Sequence, residues 1–482
     1  MSNGDGGILS QLDNRGATSF YWYLAILSTI GGLLFGYDTA NIGSVLNFIP
    51  YDLGAVGTGI VVSGASLGAA VGAIGAGPLT DRFGRKSLLI VDAGIYAVGA
   101  LLSGFALNAP MLIGARILIG LAIGADSAIA TSYIAEFAPA NRRGSLSIIQ
   151  QWMITVGILS AYIVAIILLL ALPKQSGNLD WRLMLGLGAV PAVIGLLLRS
   201  RMPESPRWLL LHGHYDRAIK ALDLLGLEPS MEDVRDASER LAELERERGR
   251  TSLWTPGVRR ALLVVCVFFV FQQITGINIP FYYGPQLLSG IFGASQGGAV
   301  HAAVAGVEAA TILAVVNVIA TFFAFRYIDR AGRRPLAIGA YTGMAIFILI
   351  GAAGVFFLHG SAQVIVVMVG FALFITCFAI GVGGTGWLIQ GEVFPTAVRG
   401  TAASIGATVD WLANFALILV FPIAQKSIGL AGVMVAFAVL CILAILFVAR
   451  FLPETKNLSV EEVIALFEKQ AASGSGPARA PA

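Results

Sequence analysis

Twelve apolar stretches take up most of this chain, near residues 20–46, 56–79, 87–107, 110–135, 146–171, 182–200, 260–289, 301–325, 335–358, 363–391, 400–424 and 430–452. Each is about as long as the roughly 20 residues that a helix needs to cross bilayer hydrocarbon. No water reaches a backbone amide there, so the spanning segments must satisfy their own hydrogen bonds, and runs of this length do so as helices. Only 12% of the residues are charged and 57% are hydrophobic, whereas soluble domains are about a quarter charged. A soluble fold built from this chain would have nothing to cover its surface with. The sequence predicts an all-α membrane protein of twelve transmembrane helices.

Short loops between spans set the orientation through their basic residues. Arg82, Arg85 and Lys86 follow span 2, Arg142 and Arg143 follow span 4, Arg326, Arg330, Arg333 and Arg334 follow span 8, and Arg399 follows span 10. The other side carries only Lys174, Arg182 and Lys426. Both termini are therefore expected in the cytoplasm. The first 19 residues are polar and contain Arg15, with no cleavable signal peptide evident. The net charge of +3 implies no nucleic-acid partner. Cys266, Cys377 and Cys441 all lie in apolar runs and read as core packing, not as disulfide or metal ligands.

The chain repeats itself. Asp81-Arg-Phe-Gly-Arg-Lys86 returns as Asp329-Arg-Ala-Gly-Arg-Arg334, Glu136-x-x-Pro139-x-x-x-Arg143 as Glu392-x-x-Pro395-x-x-x-Arg399, and Pro203-Glu204-Ser205 as Pro453-Glu454-Thr455. The copies are 248, 256 and 250 residues apart, counted from 81 to 329, 136 to 392 and 203 to 453. Nearly one offset for three motifs predicts two six-helix halves in parallel repeat, at 1–200 and 260–455. Transporters built this way hold substrate between the halves near the midplane. Residues 201–259 are dense in both charges, as in RDASERLAELERERGR, and predict a cytoplasmic linker of short amphipathic helices bracing the two halves. The stretch 456–482 reads as a cytoplasmic tail, small and polar after Lys469.

Three features within this frame stand out. Asp38 stands alone in the apolar run of span 1, where an ionised carboxylate costs about 2.5–3.5 kcal/mol to insert and needs a partner, a water cavity or a function. Gly64, Gly68 and Gly72 in span 2, and Gly120 and Gly124 in span 4, line one face of each helix and predict close backbone approach. The duplicated acids and bases at the membrane face are candidates for a latch of charge-assisted pairs that hold in one conformation and part in another. Its members are Asp81, Arg82, Arg85, Glu136, Arg143, Glu204 and Arg207, then Asp329, Arg330, Arg333, Arg334, Glu392, Arg399 and Glu454. Glu136 is expected on Arg82 or Arg399, and Glu392 on Arg330 or Arg143.

These motifs resemble the major facilitator superfamily and, within it, the sugar porters. GGLLFGYD at 31–38, DRFGRK at 81–86, YIAEFAP at 133–139, PESPRWLL at 203–210, QQITGIN at 272–278, DRAGRR at 329–334, EVFPTAVRG at 392–400 and LPETKNLS at 452–459 carry the likeness, which runs from about 23 to 467. The resemblance implies that Asp38 is a proton-coupling acid and that Arg116 pairs with it. It implies sugar ligands at Gln151, Gln272, Gln273, Asn278, Asn317, Trp387 and Asn414. Tyr282 and Tyr283 match aromatic residues that close over the site from outside. The chemistry agrees, because a hydroxyl and a side-chain amide are each both donor and acceptor. A lone amide in a membrane helix can also simply bond a neighbouring helix. The chain departs from the family pattern at several points that bear on substrate identity. Glycines fill 381–386 where prolines are usual, so the hinge of span 10 is expected to be glycine-built, and Asn41, Asp126, Thr131, Glu308 and Asp410 replace commoner residues.

The sequence thus points to a monomeric secondary transporter in the cell membrane. It would import a hexose, a pentose or a cyclic polyol with a proton by alternating access. A proton-independent sugar facilitator, or a proton symporter for another small metabolite, are the alternatives. No cofactor is implied. His212, His214, His301 and His359 stand at no catalytic or metal spacing, so no enzyme activity is expected.

Overall fold

The computed structural model describes residues 8, 11, 19–137, 143–172, 176–248, 253–292, 299–394, 398–456 and 460–473. Spans 2 to 5 are the helices Gly54–Phe83, Arg85–Gly104, Ala109–Phe137 and Arg143–Ala171. Spans 8 and 9 are Ala299–Ala331 and Arg333–Phe357. Spans 11 and 12 form one run, Arg399–Phe451, which turns at Gly429 with φ 73°. Its 53 residues would reach about 80 Å at 1.5 Å per residue, far more than the hydrocarbon thickness of about 30 Å. The run is therefore two spans, and the count is twelve.

The other four spans are broken. Span 1 is Ser19–Ser28 and Ile30–Val45, separated at Thr29. Span 6 is a π-helical turn Ser176–Asp180 followed by Trp181–Gly186 and Ala189–Arg199. Span 7 is Pro256–Ile274, then Ile279–Tyr282 and Gly284–Phe292, with Gly276 between at φ 94°. Span 10 is Gly360–Cys377, a π-helical turn Phe378–Val382 and Thr385–Glu392. Each break frees backbone carbonyls at membrane depth, where only protein or trapped water can satisfy them.

The glycine faces do what their spacing predicts. A Cβ at Gly68 or Gly72 would run into the carbonyls of Ile117 or Leu121, and one at Gly120 or Gly124 into those of Ala65 or Ala69. Spans 2 and 4 thus cross backbone to backbone. Spans 1 and 5 do the same through Gly36 and Gly157, against the carbonyls of Ile154 and Leu33.

At the face remote from the termini, the two halves meet. Gly43 backs onto the carbonyls of Phe281 and Tyr282, Gly59 backs onto that of Leu419, and Tyr162 Oη donates to Phe281 O at 2.7 Å. The linker forms three helices, Pro206–Leu211, Tyr215–Leu224 and Met231–Arg248. Its Trp208, Leu209, Leu222 and Val234 join a buried cluster with Tyr133 and Phe137 of span 4. Among the described residues, the three linker helices pack against span 4 of the first half. A last helix, Val460–Ser473, lies along span 7.

Candidate functional site

Asp38 lies in the second segment of span 1 and Arg116 in span 4, both fully enclosed. Arg116 Nη1 donates to Asp38 Oδ1 at 2.9 Å and Nη2 to Asp38 Oδ2 at 3.1 Å. A planar guanidinium fits a carboxylate in this forked way, and the two charge-assisted bonds offset part of the cost of burying both ions. Nη2 also reaches Val62 O at 3.3 Å, while Nε has no partner among the described residues.

The residue after Asp38 connects this pair to the other half. Thr39 Oγ1 donates to Tyr282 Oη at 3.3 Å. Tyr282 sits just after the break in span 7 and is 1% exposed, so a movement of that segment is felt beside Asp38. Its neighbour Tyr283 is tied within its own half, donating to Ile418 O at 2.9 Å and stacking on Phe421 with centroids 4.8 Å apart.

The second half supplies a set of amides around the breaks in spans 7 and 10. Gln272 Nε2 donates to the carbonyls of Val382 and Gly383 at 3.2 and 3.1 Å, two acceptors freed where span 10 loses its regular ladder. Its Oε1 is buried without a donor, as is Oε1 of Gln390. Asn278 Nδ2 donates to Gln273 Oε1 at 2.7 Å and to Asn414 Oδ1 at 3.3 Å. Gln273 Nε2 in turn donates to Asp410 Oδ1 at 2.7 Å. The chain Asn278–Gln273–Asp410 is thus polar, half-buried at Asn278 and buried at Gln273 and Asp410, and anchored at one end by a carboxyl. Trp387 packs on Phe269 with ring centroids 5.1 Å apart.

Not every expected ligand joins this network. Asn317 accepts from Thr321 of its own helix at 3.4 Å. Gln151 is half-buried and has no hydrogen-bond partner among the described residues. Asp410, an uncommon acid that the sequence marked as bearing on substrate identity but not as a ligand, does join it. It stands four before Asn414, which places both on one helix face, and that spacing was the available signal.

At the face bearing the termini, the duplicated motifs close within each half. Glu136 takes Arg85 Nε at 3.0 Å and Nη2 at 2.9 Å, and Arg85 Nη2 lies 3.5 Å from Asp81. In the second half, Arg333 Nη2 donates to Glu392 at 2.6 Å and Thr455 Oγ1 donates to the same carboxylate at 2.7 Å. The expected partner of Glu136 is corrected here. Glu136 pairs with Arg85 and not with Arg82 or Arg399, and Glu392 pairs with Arg333. Arg399 Nε bonds Phe394 O at 3.1 Å, while Arg82 rests on the Phe83 ring at 5.2 Å. The side chains of Arg143, Asp329 and Arg330 lie outside the described residues. Helix phase explains the difference. Gly84 and Gly332, at φ 87° and 80°, each end one helix and start the next, so Arg85 and Arg333 open new helices that point back at span 4 or span 10.

The PES and PET motifs cap those new helices. Glu204 Oε1 accepts from the backbone of Arg85 and Lys86 at 2.9 and 3.1 Å. Glu454 accepts from the backbone of Arg333 and Arg334 at 2.9 and 3.2 Å. A Cβ on Gly84 or Gly332 would strike these carboxylates, so each glycine serves both the turn and the cap. Arg207 adds its charge to the field at Glu136, and Arg334 reaches Ala449 O. Trp208 Nε1 donates to Asp81 O at 2.9 Å, tying the linker to the first motif.

Comparison with known proteins agrees with this architecture. The family model described as "Sugar (and other) transporter" matches residues 24–467. The arabinose-proton symporter of Bacillus subtilis (strain 168) is 36% identical over 459 residues, covering 93% of this chain and 96% of that protein. The glucose transporter GlcP of Staphylococcus epidermidis is 36% identical over 454 residues, covering 92% and 96%. A partially occluded inward-open structure of the xylose transporter XylE from E. coli superposes with a TM-score of 0.77 at 27% identity, covering 92% of this chain and all of that one.

Proposed function

The chain belongs to the sugar (and other) transporter family, and we propose that it imports a monosaccharide or a cyclic polyol together with a proton, by alternating access between its two six-helix halves. One observation carries the reading. A bidentate Asp38–Arg116 pair stands in the first half, linked by Thr39–Tyr282 to a second half rich in buried amides. Relatives named for arabinose and glucose, and a structural neighbour named for xylose, support a monosaccharide of five or six carbons. The bundles 1–200 and 260–455 are the moving halves, 201–259 the linker and 456–482 the tail. Excess Arg and Lys on the face bearing the termini supports a cytoplasmic position for both. The protein works as a monomer in the cell membrane and needs no cofactor.

In the mechanism, Gln272, Gln273, Asn278 and Asn414 take the hydroxyls. Gln272 Oε1 is the acceptor left open for one, and Trp387 covers a C–H face of the ring. Gln151 and Asn317 join as the halves close on the substrate. Tyr282 and Tyr283 shut the outer side. Arg116 holds Asp38 ionised while they are paired, because a guanidinium at this distance favours the carboxylate. When Arg116 is drawn away, Asp38 takes a proton from outside. Substrate binding that favours the protonated state, relayed through Tyr282 and Thr39, couples the two fluxes. The paired motifs at the inner face, from Asp81 to Glu204 and from Asp329 to Glu454, hold each half rigid and set how readily that face opens.

A second reading, a proton symporter for another small metabolite, draws on Asp410 in the amide set. Uptake of labelled hexoses, pentoses, inositol and organic acids into vesicles, with and without a pH gradient, decides between them. Gradient-driven uptake of a sugar or inositol supports the first reading. Uptake of organic acids alone, or of sugar with no response to the gradient, overturns it.

A further inference from the structure

Around the break in span 1 at Thr29 the first half holds another set of buried charges. Arg199 of span 6 is 1% exposed, Asp92 of span 3 is 4% and Asp126 of span 4 is 3%. A guanidinium has five N–H donors, and all five of Arg199 are used. Nε goes to Leu27 O at 3.2 Å. Nη1 goes to Leu89 O and Asp92 Oδ1, both at 2.9 Å, and Nη2 to Ser28 O at 2.9 Å and Asp126 Oδ1 at 2.5 Å. The arginine is full, yet Oδ2 of each aspartate is buried with no donor among the described residues. The two carboxyls also lie within hydrogen-bond reach of each other. Ionised carboxylates only accept, so such a bond needs a hydrogen that neither the arginine nor any other described side chain provides.

Charge counting gives the same result. Two carboxylates against one guanidinium leave a net negative charge among residues at most 4% exposed, where like charges at contact do not both ionise. Among the described residues no other charged group faces the three: spans 1 and 3 contribute backbone carbonyls, and span 1 otherwise presents Gly31, whose missing side chain makes room for Asp126. We propose that Asp92, Asp126 and Arg199 form a second proton-binding site, distinct from Asp38, in which one proton bridges the two carboxyls.

The proton completes a staple across the break in span 1. There the Gly32 amide turns to Thr29 O at 2.9 Å instead of reaching back four residues to Ser28 O, and Arg199 satisfies the carbonyl this leaves. Every contributor belongs to the first six spans, so rocking of one half on the other does not open the site. The proton is held, not carried.

Infrared spectroscopy of the purified protein tests this. At a pH where exposed carboxyls are ionised, the unsubstituted chain should show the carbonyl stretch of a protonated carboxylic acid, and its absence overturns the proposal without any variant. The band should persist in Asp38→Asn, whatever that variant does to transport, and lose intensity equally in Asp92→Asn and Asp126→Asn. Each of the latter leaves one carboxylate to one guanidinium, so a folded protein is expected. A band unchanged in both overturns the site. In transport, Asp92→Asn should keep the wild-type accumulation ratio. Accumulation lost while exchange continues would show that the proton is carried, and would overturn its description as held.

Discussion

Replacing Asp38 by asparagine keeps the shape of the side chain but removes a charge facing a wholly buried Arg116. The native carboxylate accepts two guanidinium bonds, at 2.9 and 3.1 Å. The amide oxygen keeps one, its NH2 group faces donors, and the bond to Val62 O at 3.3 Å survives. Removing one partner of a buried pair costs about 3–5 kcal/mol, and the retained bonds place this variant near the lower end. The effect on coupling is larger. One pH unit is worth about 1.36 kcal/mol, a factor of ten, per coupled proton. Vesicles of wild-type protein under a one-unit gradient should therefore accumulate sugar up to about tenfold at one proton per sugar. Asp38→Asn should equilibrate labelled sugar and go no further, while counterflow exchange continues. Accumulation at the wild-type ratio by a folded Asp38→Asn variant would refute Asp38 as the carrier of the coupled proton.

Four further outcomes follow from the geometry. Gln272→Ala should weaken binding of the transported sugar by about 1–3 kcal/mol, or 5–150-fold, read by calorimetry on folded protein, because it deletes the buried acceptor Oε1. Glu136→Gln and Glu392→Gln should each broaden spin-label distances across the face bearing the termini, and unchanged distributions in both would count against a latch. Glu204→Ala should cost about 0.5–2 kcal/mol by uncapping span 3 at Arg85 and Lys86, seen as a lower melting midpoint. Gly124→Val should abolish folded, monodisperse protein, because its Cβ meets Ala69 O; a normal elution profile would show that spans 2 and 4 can separate.

The features read correctly from the sequence are those set by local composition. Hydropathy over about 20 residues finds each span wherever it packs, and the spacing of Gly68, Gly72, Gly120 and Gly124 fixes a helix face before any neighbour is known. The motif pairs showed two halves because a duplicated chain keeps its order. Which charges meet was not legible. Arg82 and Arg85 are three residues apart, but Gly84 starts a new helix between them and only the second points at Glu136. Asp92 and Arg199 are more than a hundred positions apart in the chain, and nothing local links them until spans 3, 4 and 6 converge on the break at Thr29. The glycines at 381–386 marked a hinge in span 10, but the break in span 7, and the partner that each break finds, were hidden for the same reason. Their apolar runs are continuous, and the carbonyls of Val382 and Gly383 are free only because Gln272 of another span is there to bond them. Hydropathy is a property of each residue along the chain, whereas pairing depends on helix rotation and crossing, and only the packed bundle decides those.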